Sequence, residues 1–319
     1  MNIDNNETKP QVKWVEIDEN NEGQRLDNFL ITYLKGVPKS RIYRLVRKGE
    51  VRVNKGRKNI KYRLVIGDVI RVAPIRVSET DDNVFIKSAL KNSLENDIIF
   101  EDDVLIALNK PSGFAVHGGT GIDSGVIEAL RTLRPDARFL ELVHRLDKET
   151  SGCLLVAKKR SALRALHELF RGDGVDKTYL ALLAGCWQRK KQWVDAPLLK
   201  NVAKGGERMV MVSKAGKQAE TFFRRIQKFE NATLVEASPK TGRTHQIRVH
   251  AAYLGHPIIA DDRYGDVKVN HEFKKRGYKR LFLHAKQLSF AHPVTGEKMT
   301  VHAPLPSALT ELLNNEKPL

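Results

Sequence analysis

Ten consecutive residues, Val143-His144-Arg145-Leu146-Asp147-Lys148-Glu149-Thr150-Ser151-Gly152, run straight into the apolar stretch Cys153-Leu154-Leu155-Val156-Ala157. The apolar stretch has the length and β-branched content of a buried strand, and the polar one ends in Ser-Gly, a turn signal. A charged loop that feeds a core strand holds its side chains in fixed positions, which is a common way for a fold to place one reactive carboxylate. Asp147 is that carboxylate here. Taken alone, however, Arg145-Leu146-Asp147 reads at least as well as a surface loop with a routine ion pair, so the rest of the chain has to decide.

The net charge of +17 over 319 residues calls for a polyanionic partner, either nucleic acid or an anionic membrane surface. Its distribution favours nucleic acid. Residues 23–76 carry fifteen Lys/Arg against three Asp/Glu, whereas residues 1–22 carry two against six. Within the basic segment, Leu26, Phe29, Leu30, Tyr33 and Leu34 fall at helical spacing, and Gly36 ends that run. Pro38 opens a second helix at its first turn. Ile42, Leu45 and Val46 form its apolar face, Lys39, Arg41, Arg44, Arg47 and Lys48 its basic face, and Gly49 stops it. No acidic residue is interleaved on the basic face, so salt-bridge lacing along the helix is not its purpose. Short strands follow near Glu50–Asn54, which carries Arg52, and Gly67–Val72, with Lys55 in the basic turn between them. The border of the apolar face lacks the Trp or Phe of a membrane-surface helix.

The remaining organisation reads as a polar tail with a short strand over residues 1–22, a linker over 77–96 and a larger domain over 97–319. Ile98–Phe100 and Val104–Leu108 suggest paired strands, broken by the turn Asn109-Lys110-Pro111-Ser112-Gly113. Helices are expected over Val126–Leu133, Ser161–Arg171 and Pro306–Asn314, and a strand over Thr178–Gly185. Hairpins are expected over Glu220–Ser238 and Leu281–His302. Many hairpin-linked strands with few helices indicate an α+β fold with a mixed, mainly antiparallel sheet flanked by helices and loops. Cys153 and Cys186 are far apart in strand-like runs, the pattern of two structural thiols in a cytoplasmic protein. No apolar run is long enough to span a membrane.

Several chemistries lack their signatures. There is no phosphate loop of the G-x-x-x-x-G-K-[ST] type, no G-x-G-x-x-G, no G-x-S-x-G and no tight histidine ligand set. Neither a metal nor a nucleotide cofactor is expected, which leaves work by carboxylates and arginines. A second constellation lies at Thr241-Gly242-Arg243-Thr244-His245-Gln246-Ile247-Arg248-Val249-His250, a strand–turn–helix junction with Thr244 as its cap. Ile247, Ala251 and Leu254 make an apolar stripe closed by Gly255, with Arg248 beside it. Cationic side chains at a helix start suit a phosphate or carboxylate, though a basic helix shielding the core would look the same.

Two resemblances bear on this choice. Arg25-Leu26-Asp27, Ser40-Arg41, Gly49-Glu50-Val51-Arg52-Val53-Asn54 and Gly67-Asp68 resemble the small αL-type RNA-binding domain of a small-subunit ribosomal protein and of many RNA-modifying enzymes. Val143–Asp147 with Thr150-Ser151-Gly152, then Lys177-Thr178-Tyr179, then Gly242–His250, resemble in order the motifs of the RluA-type pseudouridine synthases. Asn109–Gly113, Val116-His117-Gly118-Gly119 and Gly255-His256-Pro257-Ile258 extend the match. The resemblance implies a cofactor-free enzyme that breaks the uridine N1–C1′ bond, turns the uracil and rejoins it through C5, in large-subunit ribosomal RNA. It makes Asp147 the nucleophile and Arg248 its ion partner. It puts Arg145 in the space left by the flipped nucleotide and Tyr179 against the base, with Lys177 and Arg243 as phosphate contacts. A non-catalytic ribosome-assembly protein would also explain the charge, and an N-glycosidase would also attack the glycosidic bond.

Overall fold

The computed structural model describes residues 11–34, 37–75, 94–118, 124–202 and 208–319. The tail up to residue 10, the Gly36 stop, residues 77–93 of the expected linker and Gly119 lie outside the described residues. The chain divides into two compact units, Met1–Val84 and Phe85–Leu319.

The first unit contains β1 (Lys13–Glu16), α1 (Leu26–Tyr33), α2 (Lys39–Lys48), β2 (Val51–Val53) and β3 (Val69–Val72), with an antiparallel sheet in the order β1-β3-β2. Alternation along the strands turns Val51, Val53, Ile70 and Val72 inward, where they meet Leu26, Leu30, Ile42 and Leu45 of the two helices. Pro38 is the residue before α2 and not its first residue, because its extended ψ of 141° leaves Lys39 to begin the helix. Gly49 ends α2 in the left-handed conformation, φ 75°, which a side chain would resist. Asp68 is buried in the turn before β3 and accepts from Asn54 Nδ2 (2.7 Å), Tyr62 Oη (3.1 Å) and the Val65 amide (2.9 Å). That carboxylate ties the turn before β3 to the end of β2 and to the segment between them.

The second unit is built on a ten-stranded sheet. In chain order its elements are β4 (Ile98–Glu101), β5 (Leu105–Lys110), α3 (Val126–Leu133), β6 (Glu141–Leu142), β7 (Ser151–Ala157), α4 (Arg160–Arg171) and β8 (Val175–Ala184). Then follow β9 (Lys191–Asp195), β10 (Leu198–Val202), β11 (Arg208–Val212), β12 (Glu220–Lys228), β13 (Ala232–Pro239) and α5 (Gln246–Tyr253). The chain closes with α6 (Val267–Lys275), β14 (Leu283–Ala291), β15 (Lys298–His302) and α7 (Ser307–Asn314). The main path is β4-β5-β7-β14-β8-β13-β12-β9, with β6 on β7 and β15 on β14, while β10 and β11 form a separate hairpin. Every pairing in the large sheet is antiparallel except β7 with β14. The fold is thus α+β with a mixed, mainly antiparallel sheet.

Several local expectations shift. Ser151 and Gly152 are not a turn but the first residues of β7, every residue of which is buried. Asn109 and Lys110 belong to β5, so the turn starts at Pro111. Leu94, placed at the end of the linker, is fully buried in the core of the second unit. Cys186 lies beyond the left-handed Gly185, outside the strand, and is half-buried. Five elements went unread. The two-residue β6 is too short to show a pattern, the edge strand β9 is mostly polar, β10 and β11 are five residues each, and α6 buries only Phe273. The Asp266 side chain, accepting from the Lys268 and Val269 amides, is the cap that marks α6 in the sequence.

Gly152 shows why the parallel pairing needs glycine. Its φ is 110°, and a Cβ there would stand 2.2 Å from the Ala285 carbonyl oxygen on β14. Gly152→Ala should therefore destabilise the protein by about 3 kcal/mol or more, measured as a lower urea midpoint; an unchanged midpoint would show that β7 and β14 part easily.

Candidate active site

The segment between β6 and β7 is pinned along its backbone. Val143 N–H donates to the Leu155 carbonyl (3.0 Å), and Leu155 N–H donates to His144 Nε2 (3.1 Å). Because Nε2 accepts, His144 is neutral with its proton on Nδ1, in line with burial pushing its pKa down to about 4. Its ring stacks on Phe170 of α4 at 4.8 Å. Further along, Lys110 is fully buried and donates to the carbonyls of Pro111 (2.7 Å), Phe114 (2.9 Å) and Lys148 (3.1 Å). Burial pushes its pKa down to about 7. Ser112 Oγ donates to the Glu149 carbonyl (2.7 Å) and Gly113 N–H to that of Lys148 (2.9 Å). Asp147 sits in the middle of this clamped loop.

Beneath it, at the start of β7, Arg280 donates to Ser151 Oγ (2.7 Å), which also bonds His284 Nδ1 (2.9 Å). His284 Nε2 faces the Ala303 carbonyl (3.1 Å), an acceptor only, so Nε2 carries the proton and Nδ1 accepts from the Ser151 hydroxyl. Burial pushes the His284 pKa down to about 4. This polar chain fixes the two strands where they meet in parallel.

The second constellation is brought to the first by α5, whose residues Gln246 to Ala251 are all buried. Thr244 does not cap it. His245 takes that place in the left-handed region, φ 54°, ψ 20°, and makes no side-chain cap bond. The sharp turn is held instead by Gln246, whose Oε1 accepts from Thr241 Oγ1 (2.7 Å) and the Arg243 amide (3.0 Å) and whose Nε2 donates to the Glu220 carbonyl (2.8 Å). Arg248, on the inward side of α5, is 7% exposed. Its Nε and Nη2 donate to Asp261 Oδ2 (2.8 Å) and Oδ1 (2.7 Å), and its Nη1 stands 3.5 Å from Asp147 Oδ2. Asp261 also accepts from the Arg263 and Tyr264 amides, both at 3.0 Å. Burial opposes its ionisation, but the Arg248 bonds and these amides outweigh it and hold its carboxyl below the usual range.

Asp147, Arg145, Tyr179, Arg248, Arg243 and Lys177 all line one cleft of about 640 Å³, a size suited to a small organic ligand. Tyr179, on β8, is half-buried, and burial together with the Asp147 charge pushes its hydroxyl well above the ordinary phenol range. Lys177, two residues earlier on the same strand, is half-buried and lowered by burial. Arg145 and Arg243 are exposed at the cleft, the latter donating to the Gln218 carbonyl (3.0 Å). The RNA-binding candidates lie in the first unit. Lys39, Arg44, Arg47, Lys48, Arg52 and Lys55 are exposed, Arg41 is half-buried, and the apolar face of α2 is buried behind them.

Sequence reasoning missed Asp261, the primary partner of Arg248, along with Lys110, His245 and Tyr264. Thirteen residues separate Arg248 from Asp261, and no helical or strand spacing links them. Among the described residues, no cluster of three or more His, Cys, Asp or Glu could hold a metal ion, and no helix is long and apolar enough to cross a membrane.

A carboxylate facing a buried arginine in a cleft lined by further basic side chains is an arrangement suited to an anionic, nucleotide-like substrate. Comparison narrows the class. The family model for RNA pseudouridylate synthase matches residues 104–253, and the S4 domain model matches residues 24–70. A Yersinia pestis protein named ribosomal large subunit pseudouridine synthase C is 58% identical, over 95% of each chain. One of the same name from Escherichia coli K12 is 56% identical over 95% of this chain and 96% of its own. Human RNA pseudouridylate synthase domain containing 1 superposes with a TM-score of 0.59 at 27% identity, over 70% of this chain and 88% of its own. The chain belongs to the RluA-type family of RNA pseudouridine synthases.

Removing Asp261 leaves the Arg248 guanidinium buried with its main counter-charge gone. Asp261→Ala should cost about 3–5 kcal/mol of stability, read by chemical denaturation; a loss under about 1 kcal/mol would mean that the pair does not hold α5 in place.

Proposed function

We propose that this protein isomerises uridine to pseudouridine in large-subunit ribosomal RNA, with Asp147 as the nucleophile acting on a uridine flipped out of its stack. The observation that carries the proposal is the Asp147 carboxylate in the cleft, 3.5 Å from an arginine whose other edge is bound by Asp261. The substrate follows the names of the full-length relatives. An S4 domain with an exposed basic helix supports RNA as the partner.

A uridine inside a helix cannot present its glycosidic bond to a carboxylate, so the nucleotide first leaves the stack. Arg145, exposed at the cleft beside Asp147, fills the vacated space or holds the displaced strand. Tyr179 lies against the base, and its raised hydroxyl pKa keeps it a neutral stacking surface. Arg248 balances the Asp147 charge from its buried place on α5, leaving the carboxylate free to attack and later to leave. Breaking N1–C1′ frees the uracil, which turns so that C5 faces C1′. The new C5–C1′ bond forms, the C5 proton is lost and N1 gains one, so the RNA keeps its mass. Lys177 and Arg243 are placed to meet phosphate oxygens at the rim. The first unit anchors the RNA through Lys39, Arg41, Arg44, Arg47, Lys48, Arg52 and Lys55. None of these steps calls on a cofactor, and a protein working on ribosomal RNA is at home in the cytoplasm.

Asp147→Asn should reduce pseudouridine formation to background while RNA affinity stays within about threefold, about 0.7 kcal/mol. The assay uses uridine-labelled ribosomal RNA and looks for pseudouridine, free uracil or neither. Free uracil would indicate an N-glycosidase, and no change with wild-type protein a binding factor. Replacing Lys39, Arg44, Arg47 and Lys48 together by Gln should weaken RNA binding and flatten its dependence on salt by roughly three units of log–log slope. An unchanged slope would remove α2 from the interface.

A further inference from the structure

His245 is a strained residue with no part in the mechanism above. It holds a left-handed backbone that histidine seldom adopts, lines the cleft, and presents Nε2 3.8 Å from Asp147 Oδ2. Strain of this kind persists where the surroundings impose it, and it concentrates at functional sites. Here the surroundings also orient the ring. Tyr264 Oη lies 2.7 Å from His245 Nδ1, with the two rings edge to face at 5.5 Å. The Val210 amide of β11 donates to the same Tyr264 oxygen (3.1 Å). An amide can only donate, so the phenol oxygen already accepts one bond, and this favours its own proton going to Nδ1. That leaves the imidazole proton on Nε2, aimed at Asp147.

We propose that His245 is a positioning residue for Asp147: Tyr264 locks it as the Nε2–H tautomer, whose N–H stands 3.8 Å from the same Oδ2 that Arg248 faces and closes to a hydrogen bond when substrate is bound. This rests on Asp147 being the reactive carboxylate. Both donors hang from one short segment. Asp261 grips Arg248 and takes the Tyr264 amide, while Tyr264 grips His245 and lies under the Arg248 guanidinium at 5.2 Å. With both N–H groups closed on Oδ2, the direction in which the other carboxylate oxygen points is set, whereas one donor alone leaves the carboxylate free to rotate.

The charged groups facing His245 are Asp147 from the loop before β7, Arg248 from α5, and Asp261 and Arg263 from the segment after it. Burial and the two arginines keep the ring neutral and outweigh the attraction of the carboxylates. The ring therefore acts on Asp147 through its N–H and not through a charge of its own.

The tautomer is read directly from imidazole nitrogen-15 shifts of the full-length protein, with the His245 signals assigned through His245→Gln. Wild-type protein should show Nε2–H; an Nδ1–H signal overturns the proposal without reference to activity. Tyr264→Phe keeps the ring and removes only the hydroxyl. It should shift His245 toward the other tautomer, lower kcat about tenfold, the scale of one hydrogen bond to a charged group, and leave KM within about twofold. Unaltered kcat and an unaltered His245 tautomer in a folded Tyr264→Phe variant would overturn the proposal. If wild-type protein makes no pseudouridine, the functional reading fails instead, whatever the tautomer.

Discussion

A guanidinium enclosed in protein cannot stand without a counter-charge, and the catalytic unit is arranged around that requirement at Arg248. Six of the eight residues of the helix that carries it are buried, Arg248 among them, so solvent cannot supply the balance. Asp261, itself sealed from water, takes two of its nitrogens and leaves one edge turned toward Asp147. A single arginine thus serves two carboxylates of opposite character. The first is saturated with donors and fixed, and the second is half-buried and open to the cleft. The partition of roles follows from burial and bond count, with no difference in side-chain chemistry between them.

The sequence reveals the architecture wherever local pattern reflects burial. Amphipathic α2 and the apolar run Cys153–Ala157 of β7 could be read from spacing and composition alone, and so could the hairpin β12–β13. Elements that bury little could not, which is why polar α6 and edge strand β9 escaped. The site divides in the same way. The six cleft candidates sit in motifs dense with charge and turn residues, and the fold gathers all of them at one place. Their supports are silent in the sequence. Lys110 looks like an ordinary turn lysine until β5 draws it into the core, and Asp261 is one acid among 38 until the fold sets it against Arg248. Tertiary contact creates these roles, and no period of two or 3.6 residues encodes them.

The first unit solves a different problem. Its core is small, and it supplements apolar packing with polar closure at Asp68. That frees the outer face of α2 to carry cations with no internal acid to neutralise them. Recognition of a polyanion by such a surface is long-ranged and indifferent to sequence, whereas the cleft acts only on a nucleotide that has entered it. Attraction and discrimination are therefore assigned to separate parts of one chain.

The parallel contact between β7 and β14 joins residues more than 130 positions apart, His284 beside Ser151 and Ala285 beside Gly152. Loop closure over such a separation comes late, since its entropic cost must be met before the contact returns any stabilisation. During synthesis the loop bearing Asp147 leaves the ribosome long before the strand that will anchor it. The nascent chain therefore holds all the residues of its basic unit well before it holds an organised catalytic centre. The order of translation itself delays the chemistry until the enzyme is nearly whole.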